Sequence, residues 1–140
     1  MKNINKNNTG SEMILDGSFL THKCTFKCVN KEFAGFSSKE FHQNIDSYIR
    51  LIHIPDRPLR QIKLCKLNEQ MHRNGLNSMS FILEYRIKAK DGSLVPVAEH
   101  GMLSATEQGD VSIHSVISLL SAGVEEPDKI SRSREAVCAG

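Results

Sequence analysis

Apolar and polar residues largely alternate through Ser80–Lys90, and the chain then meets Asp91-Gly92. Alternation with a period of two marks a half-buried strand. Asp-Gly is a strong hairpin signal, because both residues tolerate the backbone angles of a tight type I′ turn. Leu94–Ala105 resumes the strand pattern, Glu107–Asp110 turns again, and Val111–Leu120 completes a predicted antiparallel meander. Upstream, Ser18–Val29 reads as two short strands or one bent ribbon, with Phe19, Thr21, Phe26 and Val29 as strand formers.

Between these segments the period changes. Asn30–Phe36 reads as a short helical turn ended by Gly35, and Ser37-Ser-Lys-Glu40 as a capping box that starts a second short helix through Phe41 and Ile45. The longest helix follows, with Asp56 as N-cap, Pro58 in the first turn and Gly75 as the stop. Leu59, Ile62, Leu64, Leu67 and Met71 form one broad apolar stripe along it. Arg60, Lys63, Lys66 and Arg73 fall largely off that stripe and read as a solvated face. Helices in the first half and strands in the second predict an α+β fold.

Size and charge narrow the function classes. A chain of 140 residues is one domain, and 39% apolar with 24% charged residues is ordinary for a globular protein. A formal charge of +2 gives no nucleic-acid surface, since no Lys/Arg cluster tracks a phosphate backbone. The longest near-apolar run, Val116–Val124, is far short of the roughly 20 residues of a membrane span. Met1–Glu12 is polar and Asn-rich, without the apolar segment of a signal peptide. The four cysteines (Cys24, Cys28, Cys65, Cys138) are therefore expected as reduced thiols in a cytoplasmic protein. Cys24 and Cys28 with His22 could be drawn as three metal ligands, but no fourth follows at a finger-like spacing, so no metal is expected.

The order strand, strand, short helices, longer helix, three-stranded meander resembles a PAS domain. Val29-Asn30 with Phe33-Ala-Gly-Phe-Ser37 resembles the strand-end Asn and "LGYS"-type turn of that family, and Ser38-Lys-Glu40-Phe41 its "EEF". Leu51-Ile-His53-Ile-Pro55-Asp56-Arg57 is similar to its "hPdDR" helix start. Phe81-Ile-Leu-Glu84-Tyr85-Arg86-Ile87 with Lys90-Asp91-Gly92 is similar to its "EYRI…KDG" hairpin, the most specific of the four. The resemblance covers roughly Gly17 to Leu120. Pro55 sits one place late, Val95-Pro96-Val97 stands where "WV" is common, and the terminal "DIT"-type segment is absent after Ile117.

The resemblance implies a five-stranded antiparallel sheet with short helices packed on one face. It divides the chain into a flexible arm over residues 1–16, a PAS-like sensor domain over 17–121, and a tail or start of a linker over 122–140. It further implies a cytoplasmic sensory or regulatory module, binding a small ligand or a partner domain. Its output, a kinase, a cyclic-dinucleotide enzyme or a transcription regulator, would lie outside these residues, and the module is expected to form a homodimer. The alternative is a ligand-free interaction module that dimerises through an apolar outer sheet face, with Ile82, Val95, Val97 and Val116 as candidates.

Candidate chemistry is sparse. No G-x-S-x-G, P-loop, H-E-x-x-H or Gly-rich dinucleotide turn occurs, so no catalytic residue is assigned and no enzyme is expected. Counting back from Asp91-Gly92 pairs Glu84 with Glu99 or His100, a cross-strand polar contact. A steroid-isomerase-like enzyme would need one such carboxylate buried with a raised pKa. No cofactor is expected. Haem would use a helix histidine such as His72 or His53, and both read as surface or satisfied core residues. Flavin photochemistry would need an Asn-Cys-Arg-Phe-type motif, whereas Cys65 stands between Leu64 and Lys66. The candidate ligand-pocket residues are Phe19, Phe26, Phe33, Phe41, Leu67, Met71, Phe81, Leu83 and Tyr85. The same set would equally fill a core, and either face of Phe81–Ile87 fits the inside.

Overall fold

A computed structural model describes residues 12–120. Five strands form one antiparallel sheet in the order β2-β1-β7-β6-β5: β1 (Glu12–Ser18), β2 (Cys24–Cys28), β5 (Ser78–Lys88), β6 (Leu94–Ala105) and β7 (Val111–Leu119). A small hairpin, β3 (Glu32–Phe33) and β4 (Phe36–Ser37), follows β2. Then come a 3-10 turn (Ser38–Glu40), helix α1 (Asp46–Ile49), a second 3-10 turn (Ile54–Asp56) and helix α2 (Arg57–Asn74). This is the expected fold class, with the helices packed on one face of the sheet.

Strand β1 begins at Glu12 and pairs with both β2 and β7, so residues 12–16 belong to the sheet and not to the flexible arm expected over residues 1–16. Met13 and Leu15 are fully buried there. The rest of the expected arm and tail lies outside the described residues. Asn30–Phe36 is a hairpin and not a helical turn. Ala34 and Gly35 both take positive φ, a conformation that reverses the chain within two residues and that no helix contains. The Glu40 carboxylate accepts the Ser37 backbone N–H at 3.1 Å, as the predicted capping box requires. The helix it starts is a single 3-10 turn, and the α-helical segment begins later, at Asp46.

Helix α2 starts and stops where expected. Beyond Asn74, Gly75 at φ 65° donates to the His72 carbonyl and Leu76 donates to that of Met71, the paired bonds of a Schellman stop. Its inward residues are Arg60, Leu64, Leu67 and Met71, while Ile62 is exposed.

The β5–β6 hairpin differs in one consequential detail from the predicted type I′ turn. The last pair of β5 and β6 is Lys88↔Leu94, so the connection is longer than two residues. Ala89 donates to Ser93 across a three-residue loop in which Gly92 alone has positive φ. The Asp91 carboxylate accepts the Ser93 N–H at 2.9 Å and its hydroxyl at 2.7 Å. The extra residue moves the register by one. Glu84 therefore pairs with Ala98, and Glu99 faces Leu83 instead. One step of register exchanges the faces. It turns Glu99 into the core with Phe81, Leu83, Tyr85 and Ile87, and leaves Glu84 on the outer face.

Main-chain bonds cap one end of each outer strand of the sheet. His53 donates to the Arg86 carbonyl and Lys88 to that of Leu51 along β5. Cys24 donates to Gln43 along β2.

Candidate functional site

The connection that crosses the sheet brings polar groups from four elements into the core. Arg60 stands in the first turn of α2 and Glu99 in the middle of β6, with side chains 4% and 0% exposed. They form a two-pronged pair, Nε to Oε1 at 2.9 Å and Nη2 to Oε2 at 3.0 Å. Tyr85 on β5 donates its hydroxyl to Glu99 Oε1 at 2.7 Å. That leaves Tyr48 of α1 to donate to the Tyr85 oxygen at 2.8 Å. The chain of bonds thus runs helix, strand, strand, helix.

The electrostatics follow from this geometry. Burial alone would raise the Glu99 pKa, but the Arg60 charge and the hydrogen bonds from Arg60 and Tyr85 hold it below the ordinary value. Burial would likewise lower Arg60, and the Glu99 charge, the hydrogen bonds to Glu99 and the two tyrosines together outweigh it. Both tyrosines are pushed up, first by burial and then by the Glu99 charge. Glu99 is therefore a fixed carboxylate, the opposite of the protonated acid that an isomerase-like site uses. Glu84, half-buried on the other face, does not meet it.

Beside this network lies a cavity of about 220 Å³. Ser18, Phe19, His22 and Cys24 border it from the β1–β2 end, Ile45, Asp46 and Ile49 from α1, Arg60 and Gln61 from α2, and Ile113 from β7. Burial pushes the Cys24 thiol up to about 11, against the smaller opposing effect of the Arg60 charge. His22 holds φ at 69°, and its carbonyl accepts the Ile45 N–H at 2.9 Å, which pins the β1–β2 turn to the start of α1.

A second ion pair frames the far side. The fully buried Asp56 carboxylate accepts the Arg86 backbone N–H at 3.0 Å, Arg86 Nε at 3.1 Å and Nη2 at 3.2 Å. Its side chain makes no capping bond to α2, the role assigned from sequence. Arg57 instead secures the turn before the helix, donating to the Ile52 and Arg50 carbonyls.

Of the residues expected to line a pocket, Phe33, Phe41, Leu67, Met71, Phe81, Leu83 and Tyr85 are buried in the core. Phe19 and Phe26 are half-buried against it. Phe26 stacks on Phe41 with ring centroids 5.0 Å apart. Phe19 borders the cavity, and the other eight are absent from its lining. Among the described residues no group of three His, Cys, Asp or Glu could hold a metal ion. No described helix is long and apolar enough to cross a membrane.

The chain matches no protein-family model and no curated protein. Solved structures do match. A sensory box histidine kinase/response regulator from Burkholderia thailandensis aligns over 99% of this chain and 98% of that one, at 16% identity and TM-score 0.60. The N-terminal domain of a diguanylate cyclase with PAS/PAC sensor from Marinobacter aquaeolei aligns over 76% and 93%, at 11% identity and TM-score 0.56. The fold is a PAS fold. An RNA-binding Light-Oxygen-Voltage receptor shares it over 92% of this chain and 35% of its own, at 15% identity and TM-score 0.59.

Within the PAS fold, the four motifs read from sequence fall on the small hairpin, its 3-10 turn, the start of α2 and the β5–β6 hairpin. Arg60 and Tyr48 were not readable from those motifs. A signal for Arg60 does exist, because 60, 64, 67 and 71 repeat at steps of four, three and four, a single helix face. Choosing the stripe by apolarity put Leu59 and Ile62 on that face in its place.

Proposed function

We propose that this chain is a sensory or regulatory PAS module that binds a small ligand and passes its occupancy to an output outside the described residues. The observation that carries the reading is the cavity, whose walls come from α1, α2 and the β1–β2 end together. A ligand there touches helix and sheet at once. It shifts their arrangement to the extent that it binds one arrangement better than another. Glu12 pairs with Ser118, so both ends of the described chain leave the sheet side by side, a position suited to an output. A kinase, a cyclic-dinucleotide enzyme or a transcription regulator fits that role, since the proteins of like fold are named as a histidine kinase/response regulator and a diguanylate cyclase. The core aromatics Phe26, Phe33, Phe41 and Phe81 support the cavity walls in this reading, with Phe19 in contact with the ligand.

Native mass spectrometry of freshly purified protein, with an absorption spectrum on the same sample, tests it. A retained mass that disappears when the cavity is filled by Ile45→Trp supports a ligand sensor. A bare protein that also binds nothing from a metabolite library sinks it.

The second reading, an interaction module, is favoured by the outer sheet face. Ile82 is 58% and Met102 42% exposed, on neighbouring strands. Val116 is half-buried there, whereas Val97 is buried on the inner face and Val95 packs against the core, so neither belongs to an outer patch. Homodimerisation through that face predicts sedimentation that depends on concentration and becomes monomeric in Ile82→Glu.

A further inference from the structure

We infer that the cavity takes a small neutral molecule with an apolar body and one carbonyl oxygen, and that Arg60 Nη1 is the donor to that oxygen. The inference rests on the ligand-binding reading above and adds the chemical class.

Volume sets the size. An apolar cavity of about 150 Å³ holds benzene, so about 220 Å³ admits roughly eight to ten non-hydrogen atoms. Phe19, Ile45, Ile49 and Ile113 supply apolar walls. The polar groups are unequal. Ser18 Oγ is committed, donating to Asp110 Oδ1 at 3.0 Å and accepting the Thr21 N–H. His22, Asp46 and Gln61 are exposed at the rim. Arg60 differs from all of these. It is buried, it borders the cavity, and Glu99 occupies its Nε and Nη2. Nη1 makes no hydrogen bond among the described residues. A guanidinium presents five N–H donors, and Glu99 takes those of Nε and Nη2, so Nη1 keeps N–H groups that Glu99 does not use. A ligand oxygen in the cavity accepts one of them.

Charge decides which oxygen. Glu99 already neutralises Arg60, so a carboxylate would place a second anion on one guanidinium, with Asp46 on the same rim. A cation would face the guanidinium directly. A neutral carbonyl gains a charge-assisted bond without burying a net charge.

The test compares benzamide, benzoate, ethylbenzene and benzylamine, four probes of similar size, by amide chemical-shift titration of the whole chain. Benzamide should perturb Phe19, Ile45, Ile49 and Ile113 and bind about tenfold tighter than the others, the ratio of one hydrogen bond to a charged group. Ile49→Trp should abolish the perturbation while the spectrum stays dispersed. Arg60→Met alone strands Glu99, so the pair Arg60→Met/Glu99→Gln is used. In it benzamide should fall to the affinity of ethylbenzene. Equal binding of benzamide and ethylbenzene to the unaltered protein, or tighter benzoate or benzylamine, overturns the carbonyl class and leaves the ligand module standing. Failure of all four to perturb these residues overturns the cavity as a site, and the sensor reading with it.

Discussion

Arg60 and Glu99 are each tolerable in the core only because of the other. Removing one partner of a buried pair leaves an uncompensated charge, at about 3–5 kcal/mol, whereas replacing both by apolar groups is often close to neutral. Urea denaturation should therefore show Arg60→Met losing about 3–5 kcal/mol and Arg60→Met/Glu99→Met recovering most of it. The tyrosines give an ordered pair of outcomes. Tyr85→Phe removes a hydrogen bond to a carboxylate and strands the Tyr48 hydroxyl, for a loss of about 2–3 kcal/mol. Tyr48→Phe removes a neutral bond and leaves Tyr85 on Glu99, for about 1 kcal/mol. The reverse order would mean that Tyr48 anchors the network. Arg60 was legible in the sequence as a member of a helix face, but its charge argued for solvent. Only a carboxylate brought from 39 residues away reverses that argument.

At the scale of elements, close approach of backbones dictates small residues where composition alone gives no reason. A Cβ on Gly17 would stand 2.3 Å from the Lys23 carbonyl oxygen and from Cys24 Cβ, both on the paired strand side. Gly101 lies against the Phe81 ring, and a Cβ there would stand 2.4 Å from its Cζ and from the Ser115 Oγ. Gly92 has open space but φ of 93°. Thermal or urea unfolding should rank Gly17→Ala as the most damaging, because a backbone oxygen cannot turn aside. Gly101→Ala follows at about 1–3 kcal/mol of overpacking. Gly92→Ala should cost about 1 kcal/mol from conformation alone. The strands were legible from alternation, and the stop of α2 from Gly75. The turn type was not, because Asp-Gly serves two-residue and three-residue loops alike. That one residue decided which face Glu99 occupies.

For the whole molecule, the buried pair couples stability to acid. Glu99 has a folded pKa below its ordinary value of 4.5. Its contribution is thus complete above about pH 4.5 and is lost as the pH falls through the lower, folded value. Stability measured by urea titration should be level in Glu99's contribution near neutrality and fall once the pH drops below the ordinary value of 4.5. Arg60→Met/Glu99→Met should flatten that acid limb. An unchanged limb would place the acid sensitivity elsewhere. Because Tyr48, Tyr85, Glu99 and Arg60 join α1, β5, β6 and α2, the acid transition should loosen helices from sheet together.

What the sequence determined by itself was local: the alternation that makes strands β5, β6 and β7, the glycine that ends α2, the Glu40 carboxylate on its 3-10 turn, and a motif order resembling the PAS fold. Each depends on residues a few positions apart, whose backbone preferences act without knowledge of the rest of the chain. The tertiary structure alone decided that β1 reaches back to Glu12, where it pairs with β2 and β7 and Met13 and Leu15 join the core. It alone turned Arg60 inward and set the cavity between α1, α2 and the β1–β2 end. A buried charge is stable only when its partner arrives with the same packing event, and no local pattern records where that partner is.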